Sequence, residues 1–263
     1  NNTAEVSHGG ACFIRLVKLY LILNSSVENN YANDFGGGLY ICKTKLSVIN
    51  YTAIVGNGVS EYGGGLAIEE MRLLKIENTI FAKNSAKEND GGGCYLNNIT
   101  ICLIINSSLN NNFAGDEGGA GEVLHMKMLI VINTKFWENG ANYGGALDLY
   151  YIVTFICRNS QLLSNNGIKK YGCLYLTSVQ SVTLWQSQIN ENQTPWGSGV
   201  IYSDLSYRFV ILYCIFFKNQ NKGGTGILDI NDSKKTIIVG SKFLKNVAEN
   251  GAGISSYWCN NIV

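Results

Sequence analysis

The sequence predicts an all-β protein: a right-handed, single-stranded parallel β-helix of about ten coils, each about 27 residues long, in one domain spanning 1–263. Three observations predict it. Two independent marks recur with one period along the whole chain. The segments between them are short and rich in β-formers, with no sustained helical periodicity. Thirty glycines, clustered at regular places, stand against a single proline, Pro195.

The first mark is the small residue that ends each glycine phrase, as in "FGGGL" and "YGGAL". It falls at Ala11, Gly38, Gly65, Gly93, Ala120, Ala146, Cys173, Gly199, Gly226 and Gly253, and every gap lies within one position of that period. The second is an asparagine, at Asn30, Asn57, Asn84, Asn112, Asn139, Asn165, Asn192, Asn219 and Asn246, which keeps the period equally closely. Such a period is too short for a propeller blade or a helical pair, and fits one coil of short strands stacked on identical coils.

Each element of a coil follows from a column. After the small residue comes an apolar strand start, such as Leu39, Leu66, Cys94 and Leu147. Further on lies an Ile-rich column (Ile22, Ile49, Ile76, Ile104, Val131 and onward), and five residues later a large apolar column that includes Phe81, Phe136, Phe216 and Phe243. Five is odd, so one straight strand cannot point both columns inward, and a corner must lie between them. At that corner stands Asn24, Asn78, Asn106, Asn133 or Asn159 in five of nine coils, a residue type that tolerates left-handed backbone. The asparagine three after the aromatic column can stack amide on amide along the rod and satisfy backbone groups that a buried corner would orphan. Between that asparagine and the next small residue the spacing varies, as in an outer loop.

The alternation of GGA-plus-aliphatic (Gly144–Leu147, with GGGL at Gly36–Leu39 and Gly63–Leu66) with F-x-x-N (Phe81–Asn84, Phe136–Asn139, Phe216–Asn219, Phe243–Asn246) resembles the repeats of chlamydial polymorphic outer-membrane proteins. That resemblance covers nearly the whole chain. It implies a β-helix of the pectate-lyase-like class, and a surface or extracellular protein acting in adhesion or as a structural element.

Composition narrows the partners. The formal net charge is +1 with no basic run, which speaks against an electrostatic nucleic-acid or anionic-membrane partner. No apolar run is long enough for a membrane-spanning helix, so no membrane span is expected in this chain. The eight cysteines do not share columns on neighbouring coils and read as core residues. Seven N-x-S/T sequons occur, at Asn1, Asn24, Asn50, Asn98, Asn106, Asn192 and Asn231. Asn98 and Asn231 are read as one column just beyond a strand and as the best glycan acceptors, followed by Asn50, Asn24 and Asn106. Asn192 belongs to the inward ladder and should be inaccessible.

Three constellations could carry chemistry. Glu122 and Asp148 lie two after the small residue on adjacent coils, about 5 Å apart, with His125 nearby; read as an outer pair, they could serve a retaining glycosidase. A solvated pair on an outer face is the favoured explanation, and the set NTD, DD, GHG and RIK of polygalacturonases is absent. Phe13, Tyr40, Tyr95 and Tyr175 share that column and, if exposed, could stack on sugar rings. Asp34, Glu61 and Asp116, four before the small residue, offer oxygen ligands of the kind Ca²⁺ takes, although a hydrated loop suffices. The expectation is a non-catalytic extracellular rod with no cofactor. Neither end reads as a polar cap, which would favour self-association through coil ends or flanking domains. A carbohydrate-binding or polysaccharide-degrading face is the alternative.

Overall fold

A computed structural model describes residues 1–260, and these form a parallel β-solenoid of about nine turns containing no helix. Each turn contributes to three sheets. The broad sheet holds strands such as Leu39–Asn50, Leu66–Glu77, Cys94–Ile105, Gly121–Ile132 and Leu147–Arg158. The narrow sheet has nine strands of three residues, among them Ile80–Ala82 and Lys135–Trp137. The third has ten strands, mostly two-residue pairs such as Tyr31–Ala32 and Ser85–Ala86. Nine narrow strands make about nine turns, rather than the ten coils expected from ten glycine phrases, because among the described residues the last phrase is followed only by the broad-sheet strand Ile254–Tyr257.

The corner expected between the Ile-rich and aromatic columns exists in every turn. Asn24, Asn78, Asn106, Asn133 and Asn159 all have φ near 50°, as do Tyr51, Gln186 and Tyr213 where asparagine is absent. Two further left-handed corners per turn were not visible in the sequence. One immediately precedes each ladder asparagine (Lys83, Asn111, Glu138, Ser164), and one bends the broad sheet at Lys43, Glu70, Asn98, His125 and Tyr151. Their residue types are too mixed to form a recognisable column.

Inside, Ile54, Phe81, Leu109, Phe136, Leu162, Ile189 and Phe216 form one buried stack, with the Ile-rich column beside it. The asparagine ladder is continuous. The side-chain oxygen of Asn139 accepts both the backbone N–H and the side-chain amide of Asn112, each at 3.0 Å. Its own amide donates to Asn165 Oδ1 at 2.9 Å and back to the Leu109 carbonyl at 2.9 Å. Every rung from Asn30 to Asn246 repeats the amide-to-oxygen link, and Asn2 joins below Asn30 at 2.9 Å.

The small column two before the aromatics is a second ladder. The Thr134 N–H donates to Ser160 Oγ at 3.2 Å, and the Thr134 hydroxyl donates to the Ile132 carbonyl at 3.0 Å. Glycine has a specific reason at Gly145, where an added Cβ would lie 2.4 Å from the Asn166 carbonyl oxygen of the next turn. That is closer than real Cβ contacts come, so the turns can stack at this pitch only with glycine there.

One column needs correction. Strand pairing aligns Leu174 with Ile201 and Ile201 with Leu228, so Cys173 sits over Val200 and Ile227, not Gly199 and Gly226. In those turns a branched residue occupies the place of the small one, and the last glycine of the phrase marks the position before it. The distance from this column to the aromatic column is then identical in every turn, from Ala11 and Val27 to Ile227 and Phe243. All length variation is confined to the connector between the asparagine ladder and the glycine phrase.

Candidate functional site

That connector does not hang free; it folds over the outward column of the broad sheet. The column reads Phe13, Tyr40, Ala67, Tyr95, Glu122, Asp148, Tyr175, Tyr202 and Asp229 in unbroken register. The expectation of an outer, solvated face fails here. Glu122 is 4% exposed, Asp148 2%, Tyr40 6% and Tyr95 7%.

The cover comes from Phe35, Tyr62, Asp90, Glu117 and Tyr143, whose backbones pair from turn to turn, as in the Phe35–Tyr62 and Glu117–Tyr143 bridges. These residues escaped notice although they stand one position after the Asp34, Glu61 and Asp116 column. The signal was a second column inside the connector, aromatic at both ends and acidic at its middle two positions.

The covered column divides into chemically distinct stretches. Towards the N-terminus, Phe13 and Tyr40 stack at 5.3 Å, and Phe35 stacks on Tyr62 at 5.1 Å. Tyr40 donates its hydroxyl to Glu69. This is a small apolar core of its own outside the solenoid, and it withdraws Tyr40 and Tyr95 from the sugar-stacking role their column suggested. A second aromatic stretch brings Tyr171 against Tyr175 at 4.2 Å and Tyr202 at 4.3 Å.

Between the two lies an acidic pocket. Glu117, Glu122 and Asp148 line a depression of about 410 Å³ together with Leu124, His125, Tyr150 and Tyr175. Burial pushes the Glu122 carboxyl up to about 9, and the neighbouring Asp90, Glu117 and Asp116 charges push the same way. Asp148 is also driven well above the usual carboxylate range, first by burial and then by Glu117 beside it. Asp90 rises to about 6, mainly through burial, although the hydrogen bond it accepts from the Glu117 N–H at 2.9 Å opposes the shift. Glu122 Oε2 is buried without a hydrogen-bond partner.

Glu122 and Asp148 are register partners, one strand spacing apart, as expected. A retaining glycosidase needs one ionised carboxylate beside one acid. Here burial holds both towards the protonated form, which suits hydrogen bonding to a neutral ligand better than nucleophilic attack. His125 sits at a left-handed corner at the rim, its Nδ1 3.3 Å from Asn97 Oδ1 and its ring stacked on Tyr151 at 5.5 Å.

The remaining predicted residues lie elsewhere. Asp34 faces His8 at 3.8 Å and accepts from Asn33 at 2.7 Å. Glu61 is on the next turn and Asp116 two turns beyond that, so the three are strung along the rod. Among the described residues no three His, Cys, Asp or Glu side chains are grouped so as to hold a metal.

Of the sequons, Asn24, Asn98 and Asn106 are exposed, Asn50 is half-buried and Asn192 is fully buried in the ladder. Asn231 pairs in register with Tyr257 and lies level with Asn97, not Asn98, because of the one-residue slip described above; its side-chain oxygen is buried. The eight cysteines are unpaired, six of them buried. No known protein family, curated protein or solved structure matches the chain.

Proposed function

We propose that the chain is a non-catalytic, extracellular structural or adhesive solenoid, serving as a stalk or as a subunit that stacks end to end into a fibre. The uniformity of the interior carries this reading. Every turn keeps the same spacing from the column of Ala120 to that of Phe136 and the same asparagine ladder, while the outer columns change character from turn to turn. Such a frame resists bending and tolerates varied surfaces, as a spacer or fibre subunit requires. The resemblance to the GGA/F-x-x-N repeats of chlamydial polymorphic outer-membrane proteins, within the pectate-lyase-like class, supports an adhesive surface role. The exposed sequons at Asn24, Asn98 and Asn106 fit glycosylation outside the cell.

Electron microscopy of the natural material, isolated without proteolysis, tests this. Fibres whose repeat is a multiple of the rod length, about 43 Å for nine turns at the strand spacing, support a stacking subunit. Isolated rods, or rods joined to other domains, support a stalk. Compact particles with polysaccharide-cleaving activity would sink both.

One observation favours a second reading, carbohydrate binding or cleavage: the acidic depression floored by Glu122 and Asp148 with Tyr175 at its side. Its carboxyl groups, held protonated, could donate to and accept from sugar hydroxyls. Affinity for a neutral glycan that is lost in Glu122→Ala would establish this reading. A glycan array and a cleavage assay that are both blank would leave the rod reading alone.

A further inference from the structure

Beyond its bend at Lys43, Glu70 and Asn98, the broad sheet turns an unusual face outward. Along each strand the inward positions alternate with three outward ones, which form three columns along the rod. In the turn of Cys94–Ile105 these are Ile101, Leu103 and Ile105; in the next they are Met128, Ile130 and Ile132, paired in register. All six are apolar and only half-buried, by one another. Below them the Ile101 column stays apolar through Leu73 and Leu46 to Leu19. The other two pass through Lys75 and Glu77, ion-paired at 2.6 Å, and then Val48 and Asn50 before reaching Leu21 and Leu23. Leu19, Leu21 and Leu23 are each nearly half exposed. Leu46, Leu73 and Ile101 line an almost purely apolar groove of about 440 Å³ along one side of this face. An outward apolar surface spanning several turns of a polar-sided rod marks an interaction site.

We propose that this face binds a second copy of the chain, sheet against sheet, with the two rods antiparallel and a twofold axis passing between the Cys94–Ile105 and Gly121–Ile132 strands. Charge complementarity selects both the occupant and the register. With the axis there, Ile101, Leu103 and Ile105 meet the other copy's Met128, Ile130 and Ile132, an apolar centre that matches itself. One turn further out, Glu77 of each copy lies opposite Arg158 of the other, in the same column.

The basic residues edging the groove also fall opposite neutral ones: Lys45 opposite Gln180, Arg72 opposite Val153 and Lys127 opposite Thr100. Sliding the copies by one turn would set Arg72 against Lys127 and Glu77 against Ile132. Running the rods parallel about the central column would set Lys75 against Lys75. Like charges placed directly opposite are destabilising, so the first of these three arrangements is favoured as a twofold contact. It leaves Lys75 facing the other copy's Ile156, with Glu77 shared between its own Lys75 and the other copy's Arg158.

Three columns over eight turns give roughly 600–700 Å² per copy, near the about 800 Å² per partner of a stable specific interface. Two such sheets pack about 10 Å apart. This pairing is side to side, and it holds whether the rod is a stalk or a fibre subunit.

Sedimentation equilibrium of the whole chain and its variants across the micromolar range tests the pairing. The wild type should dimerise. Glu77→Arg and Arg158→Glu, each placing like charges opposite one another, should weaken the dimer at least about tenfold. The double exchange should restore it. Leu103→Lys, at the centre, should leave only monomer. All these positions lie outside the core, so the β-sheet circular dichroism spectrum and melting should persist; should a charge variant misfold, Leu103→Lys and the wild-type concentration dependence still decide. A chain that stays monomeric throughout overturns the proposal, and so does a double exchange no tighter than its single parents. Binding of anionic lipid vesicles by a monomer, abolished in Leu103→Lys, would also overturn it, assigning the face to a membrane.

Discussion

Asn139→Ala is expected to destabilise the rod by about 4 kcal/mol, a large share of the stability of a typical domain. The substitution leaves the Asn112 N–H and one Asn112 amide hydrogen without partners, both buried between intact turns, and takes from the Leu109 carbonyl the second of its two donors. Each orphaned buried group costs about 1–3 kcal/mol, and partial relaxation keeps the total below the simple sum. Asn139→Asp should fare little better, because a carboxylate cannot donate to Leu109 or Asn165. Asn246→Ala, on the most exposed turn, should cost much less, since its neighbours reach water. Urea denaturation of the three variants checks the gradient. Equal losses at Asn139 and Asn246 would show that the ladder is not what holds the turns.

The second large effect is pH dependence, and its sign is unusual for carboxyl groups. Glu122 and Asp148 have folded-state pKa values raised above those of the unfolded chain, so the fold favours their protonated forms. Their contribution is therefore fully present below about pH 4.5. It is lost progressively as pH rises towards 9, where Glu122 ionises within the fold. Thermal unfolding should show the wild type more stable at pH 5 than at pH 9. Glu122→Gln keeps the shape and the neutral state at every pH; it should raise the Tm at pH 9 by several degrees and change little at pH 5. A Glu122→Gln protein as sensitive to alkali as the wild type would mean that water reaches the pocket freely and the carboxyl ionises without penalty.

The frame was legible in the sequence because a solenoid writes its interior as columns. Asn84 and Phe136 announce themselves by repetition, and odd spacing alone required the first corner. The slip at Val200 and Ile227 arose where a branched residue replaced the small one, so that glycine identity misled where strand pairing did not. The burial of Glu122 was illegible for a different reason. Alternation along a strand distinguishes inward from outward, and Glu122 does point outward from the solenoid. What covers it is a connector of variable length, whose path depends on contacts such as Phe35 on Tyr62 and the Glu117–Tyr143 pairing rather than on any local propensity. The same limit hid the left-handed corners at Lys83 and Glu138, where the turn is imposed by the ladder asparagine that follows.

The ladder has a direction as well as a strength. Each asparagine side-chain carbonyl points towards the turn before it and each amide donates towards the turn after, so successive amide dipoles lie head to tail and polarise one another. The row therefore acts as a dipole running the length of the rod. Rods joined end to end would add their fields only if they met tail to head, since two like ends would offer acceptors to acceptors or donors to donors. Two rods lying antiparallel side by side would cancel theirs.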